Sequence, residues 1–385
     1  MLQHRRRAAM IAAAGVLLLV LGLPRACCLA PACESDSGQC DSQLIQTKAQ
    51  AEQQVRFSGR RSLAPQECFS KFTGSSTYTV VLVFSGRRSL MPLLLRYLDR
   101  MVQQCSVHEV HLWDYTDYRG MSGDDDHDWL RDASEKRNGT EFQIMTHGFE
   151  LHAWADVYEF YSSEKLGFER PRWSPRSELA TRGNTVLVKA DDDIVYIDTS
   201  RFDSYVEYIR THREKFIVHA NIVNNAVAAY YQANHIEELK KQIPELGEYP
   251  REGGNGHLGL FGPLLTGGGP SLHKYFLRHR EDFSWSEGDG CIAYGKEDAA
   301  RHGQVGQGRF SINFFGARWA EWDNVHRLSL DPDGDEIGIT THGSAEGRDQ
   351  CIFTALNVCH FGFMKQDMPR DIYTAYERLL AQSGA

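Results

Sequence analysis

The sequence predicts an α/β protein built on a mostly parallel central sheet flanked by helices, and three observations predict it. From Thr77 onward, apolar runs of strand length alternate with amphipathic stretches of helical period, the pattern of repeated strand–helix–strand units. Val186-Leu187-Val188-Lys189-Ala190 then leads directly into Asp191-Asp192-Asp193, and a second apolar run, Ile194-Val195-Tyr196-Ile197, follows with no Gly, Pro or Ser-rich linker. Finally, Ser85-Gly86-Arg87-Arg88 and the acidic triad each follow an apolar strand, and parallel sheets bind ligands outside the carboxyl ends of their strands. Both turns are therefore expected to face one crevice.

Taken in order, residues 78–84 read as a buried strand, 91–104 as an amphipathic helix and 110–113 as the next strand. Residues 142–145 follow as a third strand and 154–164 as a helical stretch. The Val186 strand comes next, then a helix over 202–211 and a strand over 215–218. Gly267-Gly268-Gly269-Pro270-Ser271 opens a helix reaching Leu277. A Gly-rich approach to a helix can turn backbone amides towards an anion, but Gly without fixed spacing, here and at Gly253-Gly254-Asn255-Gly256, reads rather as a mobile loop.

The chain has 385 residues, 42% hydrophobic and 11% aromatic, enough for one large core or two moderate ones. Its net charge of -9 and the lack of a basic stripe with interleaved aromatics argue against a nucleic-acid partner. His4-Arg5-Arg6-Arg7 ahead of the apolar residues 8–23 reads as a targeting segment over 1–30. It is either a signal anchor, leaving a single-pass type II protein with a lumenal body in the Golgi or endoplasmic reticulum, or a signal peptide cut after Ala30 and a secreted product. Residues 31–75 are polar and carry no apolar period, as expected of a stem, and 76–385 form the folded domain. Phe57-Ser58-Gly59-Arg60-Arg61-Ser62-Leu63 recurs letter for letter as Phe84 to Leu90, and only the second copy follows a strand. Nine cysteines fit the secretory compartment only loosely: Cys27 and Cys28 adjoin the apolar segment, and the remaining seven leave at least one thiol unpaired or paired between chains. Asn138-Gly139-Thr140 is a glycosylation sequon in a polar stretch, so the body is expected to be a glycoprotein.

Three carboxylates at the mouth of a buried strand repel one another and resist desolvation, so they persist most easily where a divalent cation neutralises them. The other reading of Asp191-Asp192-Asp193 is a solvated turn between strands. Gly123-Asp124-Asp125-Asp126-His127-Asp128 is just as acidic, but polar residues precede it, and there a solvated loop is expected. Gly86, Arg87 and Arg88 suit a diphosphate, or the arginines are simply exposed at a helix start. Asn224 and Asn225 supply the donors and acceptors that a hydroxyl-rich ligand needs, or they make a turn. Glu287 and Asp289 lie beside Trp285 and are candidates for acid/base work, or they form an acidic loop. Asp331-Pro332-Asp333-Gly334-Asp335-Glu336 is not a calcium loop, because its Gly falls at the fourth position and no Glu stands at the twelfth. His360, in an apolar strand-like run, is a core residue or a late metal ligand.

Lys189-Ala190-Asp191-Asp192-Asp193-Ile194-Val195-Tyr196-Ile197-Asp198, Ala220 to Asn225, Phe310-Ser311-Ile312-Asn313-Phe314-Phe315 and His360-Phe361-Gly362-Phe363 together resemble glycosyltransferase-like proteins of the GT-A type from fungi, algae and their viruses. The resemblance spans roughly residues 77–370. It implies a GT-A-like single lumenal domain and a DxD motif holding a divalent metal, typically manganese, against the diphosphate of a nucleotide-sugar donor. Asp191 and Asp193 then contact metal and phosphate, Asp192 lies near the ribose or sugar, and His360 completes the metal shell. The implied activity is transfer of a sugar to a hydroxyl of a glycan, protein or lipid acceptor, with the membrane engaged through the N-terminal segment. Two other classes use the same residues: a sugar-phosphate transferase releasing a nucleoside monophosphate, and a carbohydrate-binding protein without turnover.

Overall fold

A sheet whose strands are buried on both faces must carry near-continuous apolar runs and be covered by helices on each side. The computed structural model describes residues 72–382 apart from 74, 117–123, 138–140, 146–152, 163–172, 251–263, 287–289, 295–308, 363–365 and 367, and all of these belong to one compact unit of residues 60–385. The targeting segment, most of the stem, the first copy of the heptapeptide, the sequon at Asn138 and the pair Glu287 and Asp289 lie outside the described residues. No helix among the described residues is long and apolar enough to cross a membrane.

The strands are β1 (Tyr78–Ser85), β2 (Glu109–Asp114), β3 (Phe142–Met145), β4 (Thr185–Asp191), β5 (Ile194–Ile197), β6 (Lys215–Val223), β7 (Cys291–Ala293), β8 (Phe314–Arg318) and β9 (Asp349–His360). They form one mixed sheet in the order β3-β2-β1-β4-β8-β6-β9-β5, with β7 also on β9. The β1–β2, β1–β4, β2–β3 and β6–β9 ladders are parallel, and β8 runs antiparallel to both β4 and β6. Most strands therefore point the same way, with β5, β7 and β8 reversed.

The period-two alternation of β1 divides the core. Val81 and Val83 face one apolar layer, while Val80, Leu82 and Phe84 face the other. The first layer is closed by α1 (Met91–Gln103), α4 (Thr199–Thr211), α5 (Ala226–His235), α7 (Gly269–Arg278) and α9 (Arg370–Gln382). The second is closed by α3 (Ala153–Tyr161) and α8 (Trp322–Ser329), which add Tyr158, Tyr161 and Trp322.

Three expectations change. The acidic run at 124–128 is not a loop but the start of α2 (Asp124–Glu135), where carboxylates are favoured by the helix dipole. The strand expected over 215–218 continues to Val223, so Asn221 sits inside β6 and donates to the Phe283 carbonyl at 2.7 Å. A further helical turn, Leu264–Gly268, precedes α7, so at least this part of the Gly-rich segment is ordered. Any side chain at Gly269 would collide with Gln366 and Asn224. Cys291 on β7 and Cys351 on β9 form a disulfide closing 60 residues, Cys105 is also disulfide-bonded, and Cys359 is a free, buried thiol.

Candidate metal centre

The topology turns distant residues into neighbours. β1, β4, β6 and β9 all run the same way, so Gly86-Arg87, Asp191, Asn224-Asn225 and His360 stand at their carboxyl ends on one edge of the sheet. Reversed β8 brings its amino end to that same edge, where the Asn313 carbonyl accepts the Asp191 amide at 2.9 Å. In the β5–β9 ladder Ile194 pairs with His360, and the Phe361 amide donates to the Asp193 carbonyl at 2.8 Å. A residue following the triad by a long stretch of sequence is thereby placed beside it.

One ligand atom each from Asp191, Asp193 and His360 lies within 4.8 Å of the others. Asp193 is fully buried and His360 nearly so, whereas Asp191 is 23% exposed and forms the open side. His360 Nε2 stands 2.9 Å from Asp193 Oδ2, and an Arg87 Nη stands 3.0 Å from Asp193 Oδ1. Neither Asp193 oxygen has a well-aligned hydrogen-bond donor among the described residues. Burial opposes ionisation of Asp193, but Arg87 and His360 outweigh it and hold its carboxyl well below the usual range. Two carboxylates and an imidazole, with buried oxygens left open, fit a divalent cation.

The acidic turn is also neutralised from within. Asp192 accepts from the Gly86 amide at 2.8 Å, the Arg87 amide at 2.6 Å and Arg87 Nε at 2.7 Å, and it pairs with an Arg87 Nη. The turn after β1 is thus clamped to the turn after β4. Lys189 pairs with Asp191 and donates to the Ile312 carbonyl at 2.6 Å, and Asn313 Nδ2 donates to Asp191 Oδ2 at 3.0 Å. Arg87 and Lys189 thus relieve part of the repulsion within the chain itself, beside what a divalent cation would relieve.

The other sequence-singled residues fall in different places. Asn224 has φ 68° and donates to the His360 and Phe361 carbonyls at 3.2 Å and to Gln366 at 2.8 Å, fastening the segment after β9. Asn225 caps α5 through the Val227 and Ala228 amides at 3.2 Å and reaches the Ser311 carbonyl at 3.1 Å. Both side chains are buried and engaged in the fold. Arg88 is exposed. Arg87 instead lines a cleft of about 390 Å³ together with Ser89, Phe361, Gln366, Arg370 and Tyr373.

Lys189, Asn313 and Gln366 were not singled out from sequence. The lysine carried a signal, since a cation inside an apolar strand needs a buried partner; the other two gain meaning only from strand order. No family model matches the chain, and no curated protein matches it.

Proposed function

We propose that this chain is a metal-dependent glycosyltransferase of GT-A type, moving a sugar from a nucleotide-sugar donor to an acceptor hydroxyl. The observation that carries the reading is the convergence of Asp191, Asp193 and His360 at adjoining strand ends, with open oxygens on a buried carboxylate. A cleft lined by Arg87 and Arg370, cations suited to a diphosphate, and by Phe361 lies next to Asp193 through Arg87, with Arg370 stacked over the Tyr373 ring. Its volume lies at the small end of the range for ligand sites.

A divalent ion held here, manganese if the GT-A resemblance holds, would supply positive charge to the leaving diphosphate. Asp191, Asp193 and His360 would hold it, and Arg87, which contacts Asp193, would add a second positive group nearby. Asp192 is the clamp that positions Arg87, which gives it a structural task ahead of a sugar contact. The disulfide between Cys291 and Cys351 accords with an oxidising lumen, and the apolar residues 8–23 with membrane attachment or secretion.

A panel of nucleotide sugars, screened by thermal melting with and without manganese, tests the proposal. The expected result is a midpoint increase that needs both metal and nucleotide, followed by release of a nucleoside diphosphate with a suitable acceptor. Release of a monophosphate identifies a sugar-phosphate transferase, and binding without turnover a carbohydrate-binding protein. No response to any nucleotide sugar contradicts the proposal.

A further inference from the structure

The segment Arg309 to Asn313 ties the metal cluster to a second pair of carboxylates. At one end Asn313 holds Asp191 at 3.0 Å, and the Ile312 carbonyl takes Lys189 at 2.6 Å. At the other end Arg309 Nε donates to Glu336 Oε1 at 2.6 Å, and the Phe310 amide donates to Thr340 Oγ1 at 3.3 Å. Thr340 Oγ1 donates in turn to the Glu336 carbonyl at 2.6 Å. A span of five residues therefore fixes both ends. It meets Asp191 from the Lys189 side, whereas Arg87, which lines the cleft together with Arg370, contacts Asp193.

The two carboxylates have different partners. Glu336 is matched by the Arg309 guanidinium. Asp335 receives neutral donors: the Tyr158 hydroxyl at 3.0 Å on Oδ2 and the Glu336 amide at 2.9 Å on Oδ1. Tyr158 is a rigid donor, fully buried on α3 against Trp322, and burial with the nearby Asp335 keeps its phenol protonated far above the usual range. The charged and titratable groups facing Asp335 are Lys189 and Asp191 from β4, Tyr158 from α3, and Glu336 with its partner Arg309. Burial pushes the Asp335 carboxyl up, opposed by Lys189 and the Tyr158 hydroxyl. Asp335 is still partly open to solvent. A half-buried carboxylate with no ion-pair partner among the described residues, fixed by a neutral phenol and joined to the Asp191 cluster through the Arg309 to Asn313 segment, has the features of a proton acceptor.

We propose that Asp335 is the general base of the transfer, with Tyr158 and the Arg309–Glu336 pair as positioning residues. This rests on the glycosyltransferase reading. In the step, the acceptor hydroxyl gives its proton to Asp335 as its oxygen bonds to the anomeric carbon. The bond from that carbon to the phosphate oxygen breaks, and its electron pair leaves with the nucleoside diphosphate. Asp335 then releases the proton to solvent, so the sum is donor and acceptor giving glycoside, nucleoside diphosphate and one proton. Attack opposite the leaving group makes the product inverted.

The test compares wild type, Asp335→Asn and Glu336→Gln, using the UDP- or GDP-sugar that gives the largest manganese-dependent melting shift and following nucleoside diphosphate release to water and to simple aryl glycosides. Asp335→Asn should keep the melting shift, lose about 100-fold or more of kcat, and lose the acidic limb of the pH profile, with an inverted anomeric product from wild type. Glu336→Gln should lose less. Asp335→Asn with kcat within about threefold of wild type, loss of its melting shift, a larger loss in Glu336→Gln, or a retained product configuration each overturns the assignment. A wild-type chain that binds no nucleotide sugar contradicts the glycosyltransferase reading itself, and the assignment falls with it.

Discussion

Glu109 and Asp193 are both fully buried carboxylates held below their ordinary pKa, yet they stand at opposite ends of parallel strands and are treated differently. Glu109, at the amino end of β2, accepts from the Tyr78 hydroxyl at 2.7 Å, the Arg176 amide at 3.1 Å and Gln143 at 3.1 Å, and faces His111 at 2.9 Å. Asp193, past the carboxyl end of β4, has charges nearby but no aligned donor among the described residues. Burial of an acid does not by itself mark a site. Asp193 differs in standing with Asp191 and His360 at the carboxyl edge of the sheet, where the three could hold a metal ion.

That contrast separates stability from binding, and the largest stability effect is expected at Glu109. Glu109→Ala should cost on the order of 3–5 kcal/mol in urea unfolding, because His111 and Tyr78 lose a buried partner, while manganese affinity stays unchanged. Burial alone would raise the Glu109 pKa, but His111 and Tyr78 bring it down to about 2 from an ordinary 4.5. A depressed folded-state pKa means this stabilisation is complete above about pH 4.5 and is lost as pH falls towards 2. Glu109→Gln should remove that acid-limb slope; an unchanged slope would break the comparison.

His360→Ala comes next. It should weaken manganese affinity roughly 10-fold or more in a calorimetric titration, and lower the metal-free melting point less than Glu109→Ala does. Normal titration with a lowered melting point would return His360 to the core. The smallest effect is expected on α2, whose Asp128 is 66% exposed and pairs with Arg131 at 2.8 Å. Asp128→Asn should change stability by no more than about 0.5 kcal/mol and leave metal binding alone.

The two acidic runs also show how far sequence reasoning reaches. Val186 to Asp198 was legible because two apolar runs with no linker leave the chain little to do but form strand, turn and strand, as β4, the turn and β5 do. The run at 124–128 was misread because a solvated loop and a helix amino terminus both favour Asp, and only the apolar residues that follow, Trp129 and Leu130, hint at the helix. His360 was visible as a histidine in an apolar strand, but its pairing opposite Ile194 depends on β9 crossing to the sheet edge beside β5. Asp335 and Glu336 were set aside with the failed calcium spacing. Their link to Asp191 through Arg309 to Asn313 exists only once β8 is reversed, and no local pattern encodes that. Asn224 and Asn225, with chemistry suited to sugars, are consumed by a positive-φ turn and a helix cap.

The central claim is that the edge formed by β4 and β9 binds a divalent cation through Asp191, Asp193 and His360. Manganese titration of the folded chain, read from the paramagnetic resonance signal of the free ion, tests it most directly when wild type, Asp193→Asn and Glu109→Gln are compared. The account predicts one saturable site in wild type and in Glu109→Gln, and its loss, by about 100-fold or more in affinity, in Asp193→Asn. Equal manganese binding by wild type and Asp193→Asn would contradict it.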